Sequence, residues 1–130
     1  MTGYLGFIGG VEAAVGNKAP APSYKKTIQP IFNANCVYCH MSGAMQGGLT
    51  LEPGLSPRSL VSIKSTGSPL MLVVPGKPND SYLIHKLEGT HLKVGGMGAS
   101  MPFSAGVLLK LEEKDLALIH RWILLGAVDN

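Results

Sequence analysis

The sequence predicts a small, mainly α-helical fold in which the first and last helices cross and long irregular segments join them. Three observations lead to this prediction: an apolar helical pattern early in the chain, a stronger one over residues 112–125, and a middle region rich in Gly, Pro and Ser. The chain has 130 residues, enough for a single core. We therefore expect one domain, residues 23–130, preceded by an N-terminal arm, residues 1–22.

The first helix should begin near Ile28 and run towards two cysteines. Thr27 is a suitable N-cap, and Pro30 is tolerated only in the first helical turn. Ile28, Ile31 and Phe32 follow the i, i+3, i+4 spacing of one buried face. This face should meet another helix.

The last helix, about residues 112–125 before Gly126, carries the clearest pattern. Its polar side chains should face outward, and its apolar side chains should cover about half of the helix and pack on the first helix. The polar residues are Glu113, Lys114, His120 and Arg121, and the apolar ones are Leu116, Leu118, Ile119, Trp122, Ile123 and Leu125.

Two shorter elements are expected between these helices. A helical turn is predicted at about residues 57–63, with Ser56 as its N-cap. A helix at residues 81–88 should be capped by Asn79 or Asp80, end at Gly89 and bury Leu83, Ile84 and Leu87. The remaining segments, 41–79 and 90–106, are rich in turn-forming residues.

The chain's two cysteines lie in a C-x-x-C-H motif, formed by Cys36, Cys39 and His40. Thiols three positions apart share one face of a helical turn and can form thioethers to the two vinyl groups of a porphyrin, while the adjacent imidazole can bind the iron. The motif therefore predicts one covalently bound haem c. Two alternatives are a zinc half-site and a redox dithiol. They are disfavoured because His85, His91 and His120 show no paired ligand spacing, and because no βαβ pattern surrounds the cysteines.

A haem would also explain the long irregular region, because the chain could bury apolar side chains against the porphyrin instead of a sheet. The candidates for this contact, which could equally be ordinary core residues, are Leu49, Leu51, Leu55, Leu60, Leu70, Leu72 and Val73.

The second axial ligand decides between electron transfer and ligand chemistry. Met97, Met101, His91 and an open position remain possible, whereas His85 and His120 should face solvent. Met101 is favoured, because Pro102 restricts it to extended geometry and would hold its thioether rigidly.

The chain resembles the class I c-type cytochromes, and more closely their bacterial single-haem branch. The motifs that carry this resemblance are I-x-P-I-F at 28–32, C-x-x-C-H at 36–40, G-G-L-x-L at 47–51, P-G-x-P-x-x-S at 75–81, M-P at 101–102 and I-x-x-W-I-x-x-G-A at 119–127. The resemblance implies crossing first and last helices, His40 and Met101 as axial ligands, electron carriage as the activity, and export to the periplasm. Residues 1–22 fall outside these motifs.

We expect a single-haem electron carrier rather than an enzyme, because no motif for a catalytic acid, base or nucleophile is visible. The alternatives are a haem-based sensor with a labile or absent distal ligand, and an electron-entry subunit of an enzyme. Residues 1–22 have no basic residue before Lys18, and we interpret them as a mature N-terminus whose signal peptide has been removed, with Met1 added for expression. This stretch could be a flexible arm, or an apolar flap or partner-binding tail.

The net charge of +3 is too small to indicate a nucleic-acid partner, and no apolar run is long enough for a transmembrane helix. We expect a monomer that meets redox partner proteins. A ring formed by Lys77, Lys86 and Lys93 could attract acidic ones.

Overall fold

The computed structural model describes residues 20–42, 44–104 and 107–130, and these residues form a mainly helical fold. Its α-helices are α1 (Gln29–Asn35), α2 (Tyr82–Glu88) and α3 (Glu113–Leu124). The strands pair in two antiparallel ladders of two residues each: β1 (His40–Met41) with β2 (Ala44–Met45), and β3 (Phe103–Ser104) with β4 (Val107–Leu108). Short 3₁₀ turns occur at Gln46–Gly48, Pro78–Asp80 and His91–Val94. The predicted mainly helical class is confirmed.

The first helical region begins earlier than predicted, with a π-helical segment at Tyr24–Ile28. Its N-cap is Ser23, whose hydroxyl accepts a hydrogen bond from the amide of Lys26 at 3.2 Å, so Thr27 is not the cap. In a regular α-helix the ring of Pro30 would clash with the carbonyl four residues before it. The wider π turn precedes Pro30, relieves this clash and lets the helix extend towards the N-terminus.

The predicted contact between the first and last helical regions is confirmed. Tyr24 packs between two aromatic rings, with its ring centroid 5.1 Å from that of Trp122 and 6.2 Å from that of Phe32. The isoleucines of both regions complete the core: Ile28, Ile31, Ile119 and Ile123 are all buried. Helix α3 matches its predicted span to within one residue at each end.

Asn130 fastens the first helical region to the end of the described chain. Its backbone carbonyl accepts hydrogen bonds from the Ser23 hydroxyl at 2.7 Å and from the Lys25 amide at 3.0 Å. Its side-chain oxygen accepts a third bond from the Tyr24 amide at 2.9 Å. These bonds satisfy donors at the helix start, which would otherwise lack partners.

Helix α2 is close to its prediction: it ends at Gly89, whose φ is 79°, and its three predicted apolar residues are buried. Its cap differs. Ser81 is the N-cap residue, while Asn79 and Asp80 lie in the preceding 3₁₀ turn. The Ser81 hydroxyl accepts a bond from the Val74 amide at 2.8 Å and donates to the Lys77 carbonyl at 2.9 Å, so it fixes the chain entering α2.

The helical turn predicted at residues 57–63 is present only as one isolated turn at residues 57–61, which does not extend into a helix. The amides of Leu60 and Val61 both donate to the Pro57 carbonyl, at 2.8 and 3.0 Å. Ser56 does not act as an N-cap, because its hydroxyl is hydrogen-bonded to the phenol of Tyr24.

The leucines and valine expected to line a haem divide into two groups. Leu51, Leu60 and Val73 are buried in the main hydrophobic core, so protein side chains already cover them. Leu49 and Leu72 pack against that core, Leu70 is half-buried, and Leu55 is exposed.

No helix in the described ranges has the length and apolar character needed to cross a bilayer. Residues 1–19 of the predicted N-terminal arm, including the apolar stretch at 4–8, lie outside the described residues.

The contact between the first and last helical regions yields a stability prediction. Trp122 is 1% exposed and donates its indole N–H to the Val128 carbonyl at 2.9 Å, whereas Leu124 on the same helix is 51% exposed. We expect Trp122→Ala to lower the free energy of unfolding by about 3–5 kcal/mol because it leaves a large cavity. Leu124→Ala should cost less than about 1 kcal/mol. Urea denaturation would measure both losses, and equal losses would contradict the packing described.

Candidate functional site

The two cysteines and His40 lie in a single tight turn directly after α1. The amide of Cys36 donates to the Phe32 carbonyl at 2.8 Å and so continues the helical bonding beyond α1. The amides of Cys39 and His40 then donate back to the Cys36 carbonyl at 3.2 and 3.1 Å. The backbone therefore winds once between the first thiol and the imidazole, as the sequence spacing predicts.

The turn has a buried side and an exposed side. Cys36 and Val37 pack against the hydrophobic core, Cys39 and His40 are half-buried, and Tyr38 is 88% exposed. The thiols and the imidazole therefore lie at the boundary between the core and solvent.

The Cys36 thiol has a setting unlike that of a redox dithiol. Burial raises the pKa of Cys36 to about 12, and the charge of Cys39 is a smaller cause in the same direction. The turn also follows the C-terminal end of α1, where helix carbonyls disfavour a thiolate. Reactive dithiols instead have a lowered pKa and lie at helix N-termini. The structure therefore disfavours thiol–disulfide chemistry.

A structural zinc site is disfavoured as well. Within residues 20–42, 44–104 and 107–130, no group of three or more His, Cys, Asp or Glu side chains comes together with metal-binding spacing. A structural zinc ion normally requires four such ligands. The described residues therefore do not supply the two further ligands that the Cys36–Cys39 pair would need to bind zinc.

The segment after His40 is closed by Glu52, which sequence reasoning missed. The Glu52 carboxylate accepts hydrogen bonds from the amide of Ser42 at 3.1 Å, from the Ser42 hydroxyl and from the Thr50 hydroxyl at 3.3 Å. These bonds, with that from the Ser42 hydroxyl the largest cause, lower the pKa of Glu52. The Leu51 amide donates to the His40 carbonyl at 2.7 Å, so this closure also fixes the backbone of His40.

Met101, the predicted second axial ligand, is half-buried against the same hydrophobic core as Cys36. Its amide donates to the Lys86 carbonyl at 2.8 Å, which fixes it to α2, and a cis peptide bond joins it to Pro102. A cavity of about 220 Å³ is lined by Met101 together with Leu87 and Leu109. The rival Met97 is 67% exposed. Burial and anchoring thus favour Met101 over Met97.

The three other histidines are placed differently from one another. His85 is half-buried, not simply solvent-facing: its Nδ1 is 2.7 Å from the Thr90 hydroxyl and its Nε2 is 2.7 Å from the Asn79 carbonyl. His91 is 4% exposed, with Nε2 2.7 Å from the Gly98 carbonyl. Because a carbonyl only accepts, this Nε2 carries the proton, and the ring's lone pair is on Nδ1, which is buried without a hydrogen-bond partner in the described structure. His120 is half-buried on α3.

The residues present fit a covalently bound haem. Besides the thiol and imidazole donors, large apolar side chains are 42–67% exposed in both irregular segments, at Leu55, Ile63, Met71 and Leu92, and beyond them at Leu109. A group that covers such side chains removes apolar surface from water. A porphyrin is an apolar disc of the kind that such side chains would cover.

Comparisons with protein-family models, curated proteins and solved structures found no match to this chain. The resemblance to class I c-type cytochromes therefore depends on the sequence motifs themselves.

The raised pKa of Cys36 can be tested in the haem-free protein by alkylation with iodoacetamide. Only the thiolate reacts, so the rate at Cys36 should continue to rise with pH well beyond about 8.5, the ordinary pKa of a cysteine. Mass spectrometry of the labelled peptide would give the rate. In urea, where the thiol is exposed, the alkylation rate should level off near the ordinary pKa of a cysteine. If the rate in the folded protein already levels off below neutral pH, the redox-dithiol interpretation would be restored.

Proposed function

We propose that this protein is a single-haem c-type cytochrome that carries one electron between redox partner proteins in the periplasm. The observation that carries the proposal is the placement of Cys36, Cys39 and His40 in one turn at the end of α1, whose inner face is buried. The rival uses of this motif are disfavoured by the raised pKa of Cys36 and by the lack of further zinc ligands within the described residues.

The chain's own residues would hold the cofactor at four points. The thiols of Cys36 and Cys39 would hold the porphyrin as thioethers, each formed by addition of the S–H bond across a vinyl group, which needs no external oxidant. The imidazole of His40 and the thioether of Met101 would hold the iron. When bound, the haem supplies the change between ferric and ferrous iron that stores one electron.

The remaining work of the protein is to exclude water and set the reduction potential. Apolar side chains of the irregular segments shield the porphyrin, and a soft sulfur ligand favours ferrous iron. Electron carriage requires no catalytic acid, base or nucleophile, so the proposal is of a carrier and not of an enzyme.

A second candidate is a haem-based sensor that exchanges its distal ligand. One observation favours it: Met101 follows a loop containing Gly95, Gly96 and Gly98, and two of these glycines have positive φ angles. The ligand state of the iron distinguishes the two candidates. A carrier retains both axial ligands in both oxidation states, whereas a sensor opens one position.

The partner surface we propose is smaller than the lysine ring predicted from the sequence. Lys77 and Lys93 are exposed. Lys86 is half-buried, and its ammonium group donates to the Met97 carbonyl at 2.9 Å. Lys77 and Lys93 therefore remain as the charges that could steer an acidic partner, because only exposed charges act at long range with little desolvation cost.

Covalent attachment is the first test. Produced in cells with a c-type haem maturation system, the protein should retain haem after denaturation and acid extraction, at one haem per chain by its pyridine haemochrome spectrum. Cys36→Ala and Cys39→Ala should each leave one thioether, which shifts that spectrum, and the double variant should lose its haem to acid extraction. Ser62→Ala, an exposed change elsewhere in the chain, is the matched control. Haem extracted intact from the unmodified protein would sink the proposal.

The distal ligand is the second test. Met101→Ala should remove the near-infrared sulfur-to-iron band of the ferric protein and lower the reduction potential, because the soft ligand that stabilises ferrous iron is lost. Met97→Ala should leave both unchanged. Spectroscopy and a redox titration would measure these effects. A reversed outcome would reassign the ligand to Met97. If the unmodified protein lacks the band and its ferrous form binds carbon monoxide readily, the sensor is the better proposal.

A further inference from the structure

The loop that leads to Met101 is held by side chains of two residues from the α2 region. The Lys86 ammonium group donates hydrogen bonds to the carbonyls of Met97 and Ala99, the first at 2.9 Å. Between them, the Gly98 carbonyl accepts a hydrogen bond from Nε2 of His91 at 2.7 Å. Three successive carbonyls are therefore bound by two side chains.

Lys86 is built into this contact and is not a mobile surface charge. It lies on α2, whose other face is buried in the core, and desolvation by burial lowers the pKa of its ammonium group. Its backbone carbonyl also accepts the bond from the Met101 amide, at 2.8 Å. One residue thus holds both the approach to Met101 and Met101 itself.

The same loop passes close to α2 at Gly96. Its amide donates to the His91 carbonyl at 2.9 Å, and a Cβ at this position would clash with the Tyr82 ring and with that carbonyl. Gly98 has a φ of 78°, which glycine adopts at little cost. The glycines allow the loop to adopt this conformation, but they also allow many others, and the loss of that conformational entropy opposes ordering of the loop. Directed hydrogen bonds are needed to select one.

We propose that Lys86 and His91 form a clamp that positions Met101 as the distal ligand of the haem iron. The inference rests on the proposed function. In it, Lys86 does not steer a partner and His91 does not bind the iron; both residues position Met101. The physical reason is that charge-assisted bonds from a rigid helix restrict the loop before the sulfur binds. Each molecule then keeps the sulfur within reach of the iron.

The test compares Lys86→Met, which keeps an apolar side chain of similar length but removes the ammonium donor, with Lys114→Met at an exposed lysine of α3. Two readouts are needed. The first does not require haem: amide hydrogen exchange at Met101 should be about tenfold faster in Lys86→Met, since the loop opens more often. The second uses the haem-loaded protein: the ferrous form should bind carbon monoxide about tenfold faster, with a weaker sulfur-to-iron band. Lys114→Met should change neither, and Lys86→Arg, which retains donors, should restore much of both.

The outcomes separate the clamp from the proposed function. Unchanged exchange at Met101 in a folded Lys86→Met protein would overturn the clamp. Faster exchange, with a band and carbon monoxide rate equal to those of the unmodified protein, would overturn the positioning role. Faster exchange in a protein that attaches no haem would support the clamp on the loop while the proposed function fails. If Lys86→Met lowers helicity by circular dichroism, His91→Gln provides the same comparison from the other half of the clamp.

Discussion

The packing of Tyr24 between Phe32 and Trp122 is the interaction on which the rest of the structure depends. The three rings join the π-helical segment, α1 and α3 in one buried cluster. Aromatic side chains bury large areas and pack best in tilted geometries such as these. Because α1 has only seven residues, it is too short to be stable alone, and this cluster supplies its stability.

A rigid α1 determines where the cysteine turn lies. The turn continues the hydrogen bonding of the helix, so the packing of α1 against the core determines where the thiols lie. Glu52 then fixes the chain on the other side of His40 through Ser42 and Thr50. The proposed attachment site is thus supported on both sides by contacts that do not require the cofactor.

Side-chain periodicity was sufficient to predict α2, α3 and the buried face of α1, because these elements are amphipathic. It could not predict the π segment, which directly precedes Pro30, or the role of Ser56, whose hydroxyl bonds to a phenol distant in sequence instead of capping the turn at residues 57–61. The cysteine turn could be found from its spacing alone. The roles of Glu52 and Lys86 could not be found from the sequence, because each depends on contacts between residues that only the folded loops bring together.

The hydrogen bond between Tyr24 and Ser56 has a consequence for how the protein unfolds. It joins the long irregular segment to the aromatic cluster, and burial raises the pKa of the Tyr24 phenol, so this group stays neutral and in need of a partner. If that segment separated from the core, the buried phenol would lose its hydrogen bond, at a free-energy cost of about 1–3 kcal/mol. Fraying of the irregular segment is therefore energetically tied to loss of the contact between the first and last helical regions. The two parts should melt as one cooperative unit, although one of them has almost no regular secondary structure.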